Sequence, residues 1–412
     1  MSCIVSETMK RPQADGRKLD SEGIELLSRG DALVGQERLD EAGDCYRAAL
    51  RLNPANAASV AKLGRVLHQQ KRLEEASACY YRALEMEPGN PWFHSYLGAL
   101  LLLKGEFEQG WSELEWLWQA PELQADSPDP GKPRWDGSPL DGRTCLLQAP
   151  FGFGDNLQWC RYASHLVAGP GRVVLQCQPE LLRLLRTLPR VNQVLALGEP
   201  LPPFDVHAPL LSLPHLLKLP YPPADVPYLQ ADEADIARWA QALPPRRGPR
   251  VGLVWNADPT DPGRWRSVKL ADLAPLAQVV GVDFFSVQKG AGAEQLGTIA
   301  EGMHVADLGA QLTDFADTAA LLTQLDLVVS VDTAVAHLAG ALGLPVWILL
   351  PSLPDARWLL DREDSPWYPS ARLFRQERPG DWMPVITRVV SELAKFAQLD
   401  SINEADTAAG NR

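Results

Sequence analysis

Apolar residues recur along this chain in two rhythms, and the change of rhythm divides it. Over residues 21–118 small and aromatic positions return at a fixed interval. Gly30, Gly64 and Gly98 are 34 apart, as are Ala42, Ala76 and Gly110, while Tyr46 matches Tyr80, Ala49 matches Ala83 and Pro54 matches Pro88. Small residues at such places let paired helices approach closely, and a proline ends the second helix before the next begins, so the pattern predicts stacked helical hairpins. From Thr144 short apolar runs alternate with helical stripes, the rhythm of parallel α/β structure. Strands are expected at 144–148, 172–177, 193–197 and 204–208, with helices near 155–168, 179–188 and 210–218. After the Pro-rich passage Leu243–Pro249, strands are expected at 250–255, 282–287, 303–307, 326–331 and 345–350, with a closing helix near 383–397.

These patterns predict helical repeats over 21–120, a linker over 121–142, and two α/β domains over 143–245 and 249–398. The polar ends, 1–20 and 399–412, are expected to be disordered. The last repeat carries Trp111, Trp116 and Trp118 on its second helix, more than a polar cap would need, and is expected to dock on the following domain. Trp135 is expected to pin the linker to a surface.

The most informative stretch is Leu325–Leu350, which reads as buried strand, polar turn, small-residue helix, Gly-Leu-Pro break and second buried strand. Polar side chains stand only at the first strand's end, Asp332 and Thr333, and one helical turn later at His337. Open α/β sheets bind ligands at that end, where free amides and the helix dipole favour an anion. Asp332 and Thr333 could equally be plain helix caps, but Thr333 and His337 are four apart and share one helix face, which favours a binding role.

Other candidates follow strand ends. The turn Gln148–Gln158 contains Gly154, Asp155, Asn156 and Gln158; its Gly-x-Gly is a weak dinucleotide motif. Asp155 is either an N-cap carboxylate stabilised by the helix dipole or a general base facing the second domain. In the second half Asn256, Arg264, Arg266, Gln288, Lys289 and Asp317 lie near strand or helix ends. Arg264, Arg266 and Lys289 either neutralise a diphosphate leaving group without a metal or are ordinary surface cations. Asp-x-Asp, the simplest carboxylate clamp for a nucleotide-bound metal, does not occur.

Composition changes the picture little. Hydrophobic content of 46%, with 22% charged residues, suits a globular protein, and a net charge of −13 argues against nucleic acid held on a broad basic surface. No apolar run reaches the roughly 18 residues of a membrane helix, and the start lacks a signal-peptide core, so a cytoplasmic location is expected. The six cysteines, at 3, 45, 79, 145, 160 and 177, show no Cys-x-x-Cys pair and read as reduced core thiols.

The 34-residue array resembles the tetratricopeptide repeat family. The second half resembles glycosyltransferase family 9, the heptosyltransferases: their Asp-Thr-Gly-x-x-His-Leu-Ala motif is matched by Asp332, Thr333, His337, Leu338 and Ala339, with Ala334 at the Gly position. Gly154-Asp155 is similar to that family's N-terminal Gly-Asp. The resemblance implies a GT-B pair of Rossmann-type α/β domains and a nucleotide-sugar donor on the C-terminal half. It also implies inverting transfer without a metal or other cofactor, with Asp155 as base. The array implies a protein or peptide acceptor or partner in its groove. The rival expectations are a catalytically silent scaffold of the same fold, with Trp265 or Trp358 plugging the cleft, and a sugar-nucleotide epimerase.

Overall fold

The computed structural model describes residues 21–124, 131–149, 151–166, 170–223, 225–257, 266–298 and 302–410. It falls into two compact units, one containing the described residues up to Gly131 together with Asp355–Leu360, the other the rest.

The first unit is built from helix pairs α1 (Ser21–Gly35) with α2 (Leu39–Leu52), α3 (Ala57–Gln69) with α4 (Leu73–Met86), and α5 (Pro91–Leu103) with α6 (Phe107–Leu114). The repeated glycines are where one helix lies on another: a Cβ at Gly30 would come within 2.4 Å of the Tyr46 ring, and one at Gly64 within 2.8 Å of the Tyr80 ring. Each pair turns through one left-handed residue, Glu37, Lys71 and Gly105, again one repeat apart. Asn56 and Asn90 cap α3 and α5 by accepting first-turn N–H groups, which leaves the intervening prolines as helix stops. At the far end Trp116 stacks on His94 at 4.0 Å. There a short turn, Ala356–Trp358, packs against α5 with Trp358 fully buried. Trp358 is therefore part of this unit's core and plugs no cleft of the other unit.

The second unit holds two parallel sheets. The first has β1 (Thr144–Gln148), β2 (Arg172–Cys177), β3 (Gln193–Ala196) and β4 (Val206–Pro209) in the order β3-β2-β1-β4. The second has β5 (Arg250–Val254), β6 (Asp283–Ser286), β7 (Val305–Asp307), β8 (Leu327–Val331), β9 (Val346–Leu350) and β10 (Ala371–Arg375) in the order β10-β9-β8-β5-β6-β7. β8 and β9 are buried at every position, as expected of strands covered on both faces. The helices that matter for the site are α7 (Phe153–Trp159), α8 (Glu233–Ala242), α9 (Phe315–Leu322) and α10 (Ala334–Ala341); α11 (Met383–Gly410) closes the chain. α7 is shorter than the expected 155–168 because the chain tightens into a 3-10 turn over Cys160–His165.

Further outcomes differ from or extend the sequence reading. Both α/β halves belong to one compact unit. Trp135 does pin its segment, since its backbone N–H donates to the carbonyl of His207 in β4 and its side chain is buried. The polar end expected to be disordered from 399 is helical as far as Gly410, because Val385 to Ala409 contains neither Gly nor Pro. Residues 1–20 lie outside the described residues. Cys45, Cys79, Cys145, Cys160 and Cys177 are free, and burial pushes the Cys145 and Cys177 thiols up to about 12, which keeps them protonated at neutral pH. Among the described residues no helix is long and apolar enough to cross a membrane.

Candidate active site

β5 and β8 are neighbours, with Val254 opposite Ser330. From β5 the chain goes to β6 on one side, and from β8 to β9 on the other, so the connections diverge and leave a crevice at the strands' C-terminal ends. Asp332 and Thr333 stand there. Thr333 occupies the N-cap of α10 with extended backbone (φ −140°, ψ 171°), yet its side chain makes no capping bond; its hydroxyl meets Ser330 Oγ at 3.0 Å. The cap reading of Thr333 therefore fails, and its side chain does not engage the first-turn amides of α10.

Asp332 is buried between two cationic or potentially cationic groups. Its Oδ2 is 3.4 Å from Arg266 Nη1, and its Oδ1 is 3.6 Å from Nε2 of His337. His337 is only 2% exposed, and its Nδ1 is 2.9 Å from the Tyr368 hydroxyl.

The other half reaches the same place through α7, which packs on α10. A Cβ at Gly154 would lie 2.9 Å from His337 Cδ2 and 3.5 Å from Ala334 Cα, so a glycine is what lets the two helices meet this closely. Asp155, the next residue, is buried in the first turn of α7 but is not its cap, which is Gly152. Its carboxylate is thus favoured by the helix N-terminus, and its Oδ2 lies on the side of Gly152, where a Cβ would stand 3.6 Å from it. Gly154, Ala334 and His337 meet at one place, with Asp332 against both His337 and Arg266, and Asp155 follows Gly154 in the chain.

The remaining candidates do structural work. Asn156 Nδ2 donates to the carbonyls of Ala149 and Phe151 and to Gln178, which shapes the loop before α7. Gln158 is buried within α7. Gln288 Oε1 accepts from the N–H groups of Trp255 and Asn256 at 3.2 and 2.9 Å, fixing the turn after β5; Asn256 Nδ2 donates to Ala257. Lys289 Nζ donates to the Leu312 and Thr313 carbonyls at 2.6 and 3.2 Å. Asp317 is buried and accepts from Arg238, from Trp239 Nε1 (2.7 Å) and from Thr313 N (2.9 Å). Burial alone would raise its carboxyl, but the hydrogen bonds from Thr313, Trp239 and Arg238 hold it below the usual range. It joins α8 to α9 and has no oxygen to offer a ligand without giving one of these up. Arg264 and Trp265 lie outside the described residues.

Two residues that the sequence reading passed over complete the surroundings. Tyr368 touches His337. Arg161, 2% exposed, donates to the carbonyls of Trp367 (2.9 Å) and Pro223 (3.1 Å) and lies over the Tyr228 ring at 4.5 Å. The available signal was the aromatic pair Trp367-Tyr368 set between Pro366 and Pro369.

The motif geometry can now be set beside known proteins. Residues 211–377 match the glycosyltransferase family 9 (heptosyltransferase) model. The matched span includes Arg266, Asp332, Thr333, Ala334, His337 and Tyr368, whereas Asp155 lies before it. Residues 27–108 match a tetratricopeptide repeat model. A curated relative, Protein FlbA of Caulobacter vibrioides, is 30% identical over 333 residues, which cover 73% of this chain and 54% of the relative. The chain thus spans about half the length of that relative. Among solved structures, ADP-heptose lipopolysaccharide heptosyltransferase II of E. coli aligns at 16% identity with a TM-score of 0.46, covering 63% of this chain and 99% of that one. A family 9 glycosyltransferase of Veillonella parvula aligns at 10% identity with a TM-score of 0.44, covering 59% and 88%.

Proposed function

We propose that this chain transfers a sugar from a nucleotide-sugar donor to an acceptor hydroxyl by a single inverting displacement that needs no metal. The observation that carries the reading is the close approach of Gly154, the residue before the buried Asp155, to His337 and Ala334. The match of residues 211–377 to family 9 supports it. Asp155 takes the proton of the acceptor hydroxyl, and the freed oxygen attacks the anomeric carbon. The bond to the diphosphate breaks on the opposite face, and the nucleoside diphosphate leaves with the electron pair. Amides of the first turn of α10, His337 and Arg266 stabilise the charge that develops on it, the main requirement of such a step. Thr333 lines that turn, and Lys289, held by two carbonyls, lends longer-range positive charge. The repeats present a protein acceptor, and the reaction belongs in the cytoplasm.

The test is a melting-temperature screen with ADP, GDP, UDP and their sugars. Stabilisation by one nucleotide family is expected in the wild type and in Asp155→Ala, and is expected to vanish in His337→Ala. With that donor, Asp155→Ala should lower transfer by about 10²–10⁴-fold, the usual worth of a general base. No stabilisation by any nucleotide at millimolar concentration would favour a silent scaffold.

A further inference from the structure

We infer that Tyr368 is the positioning residue of His337, fixing the imidazole so that Nε2 carries a proton at the start of α10. The inference rests on the transferase reading of this site. Tyr368 is fully buried on the segment between β9 and β10, and its hydroxyl lies 2.9 Å from His337 Nδ1. Its ring is seated on Gly340, one turn of α10 beyond His337. A Cβ there would fall 2.3 Å from Tyr368 Cγ and 2.5 Å from Cδ1, so the small residue makes the notch that admits the ring. Arg161 packs beside it: its guanidinium lies 5.8 Å from the centre of the Tyr368 ring, and it donates to the carbonyl of Trp367.

The tautomer follows from what faces each ring nitrogen. Nε2 is 3.6 Å from Asp332 Oδ1, and an ionised carboxylate can only accept. With the proton on Nε2, the Tyr368 hydroxyl donates to the bare Nδ1 and the N–H faces the carboxylate, so both contacts are favourable. The other tautomer would aim the Nε2 lone pair at the Asp332 carboxylate, an unfavourable contact. Tyr368 thereby selects the form of His337 that can donate to an arriving diphosphate.

The experiment uses the full chain labelled with ¹⁵N-histidine, whose seven histidines give separate ring-nitrogen signals; the set lost in His337→Gln identifies His337. At neutral pH, Nδ1 should show the unprotonated shift and Nε2 the protonated one. Tyr368→Phe keeps the ring on Gly340 and should move both signals towards the average of two tautomers, with a single cooperative unfolding transition and a melting temperature lowered by only about a few degrees. It should also weaken binding of whichever of ADP, GDP or UDP the wild type takes up by about tenfold, the worth of one buried hydrogen bond. An unprotonated Nε2 in the wild type, or unaltered shifts or binding in Tyr368→Phe, overturns the inference. If no diphosphate binds the wild type, or His337→Gln leaves binding intact, the transferase reading fails, and the spectra still decide the tautomer.

Discussion

His337 shows how much of this site depends on single atoms. It is held by a phenol at Nδ1, a carboxylate near Nε2 and a missing side chain at Gly154. The last of these gives a direct prediction. Gly154→Ala places a methyl 2.9 Å from His337 Cδ2, so α7 and α10 must part or the imidazole must tilt. Such overpacking costs about 1–3 kcal/mol; chemical denaturation should read that loss, and the transfer assay should fall with it because Asp155 rides on the same turn. A variant with full transfer would show that Asp155 and His337 act independently. Thr333, with extended backbone and its hydroxyl on Ser330, stands just before the helix whose face its spacing was read from, while His337 was legible as the lone polar residue of a small-residue helix. Tyr368 was not, since it lies 31 residues from its partner and only the sheet order brings them together. Lys289 was legible as a cation near a strand end, but the two carbonyls that hold its ammonium could not be read from spacing.

Between elements, the contact of α8 with α9 turns on Asp317. Its folded carboxyl lies below the usual range, so its contribution is complete above about pH 4, the unfolded value, and is lost as pH falls through the folded one. Asp317→Asn is expected to cost about 2 kcal/mol at neutral pH, the scale of hydrogen bonds to a buried charge. Urea unfolding should show the gap to the wild type narrowing below pH 4; a gap constant with pH would mean that the charge is immaterial. The sequence rhythm located most strands within two residues. It missed β10, whose Ala-Arg-Leu-Phe-Arg places arginines at the sheet edge, and α8, whose acidic start hid a helix capped by Asp232. Both depend on neighbours for their apolar face, so local pattern alone understates them.

At the scale of the whole molecule, the repeat unit draws on a distant part of the chain. Asp355–Leu360 belongs to it, with Trp358 wholly buried and Asp355 Oδ1 accepting from Arg357 Nε at 2.9 Å. Trp358→Ala should therefore unfold the repeats rather than the sheets first, at a cost of about 3–5 kcal/mol for an emptied aromatic site. Limited proteolysis followed by mass spectrometry would see early cuts within 21–124, and early cuts in β5–β9 instead would contradict it. This hexapeptide also makes the order of synthesis matter. During translation the array emerges more than two hundred residues before the piece that completes it, so its last repeat waits with an unfilled aromatic site until β9 has been made. The repeat array and the later part of the chain are thus bound to mature together, and a repeat array expressed by itself is an unfinished object.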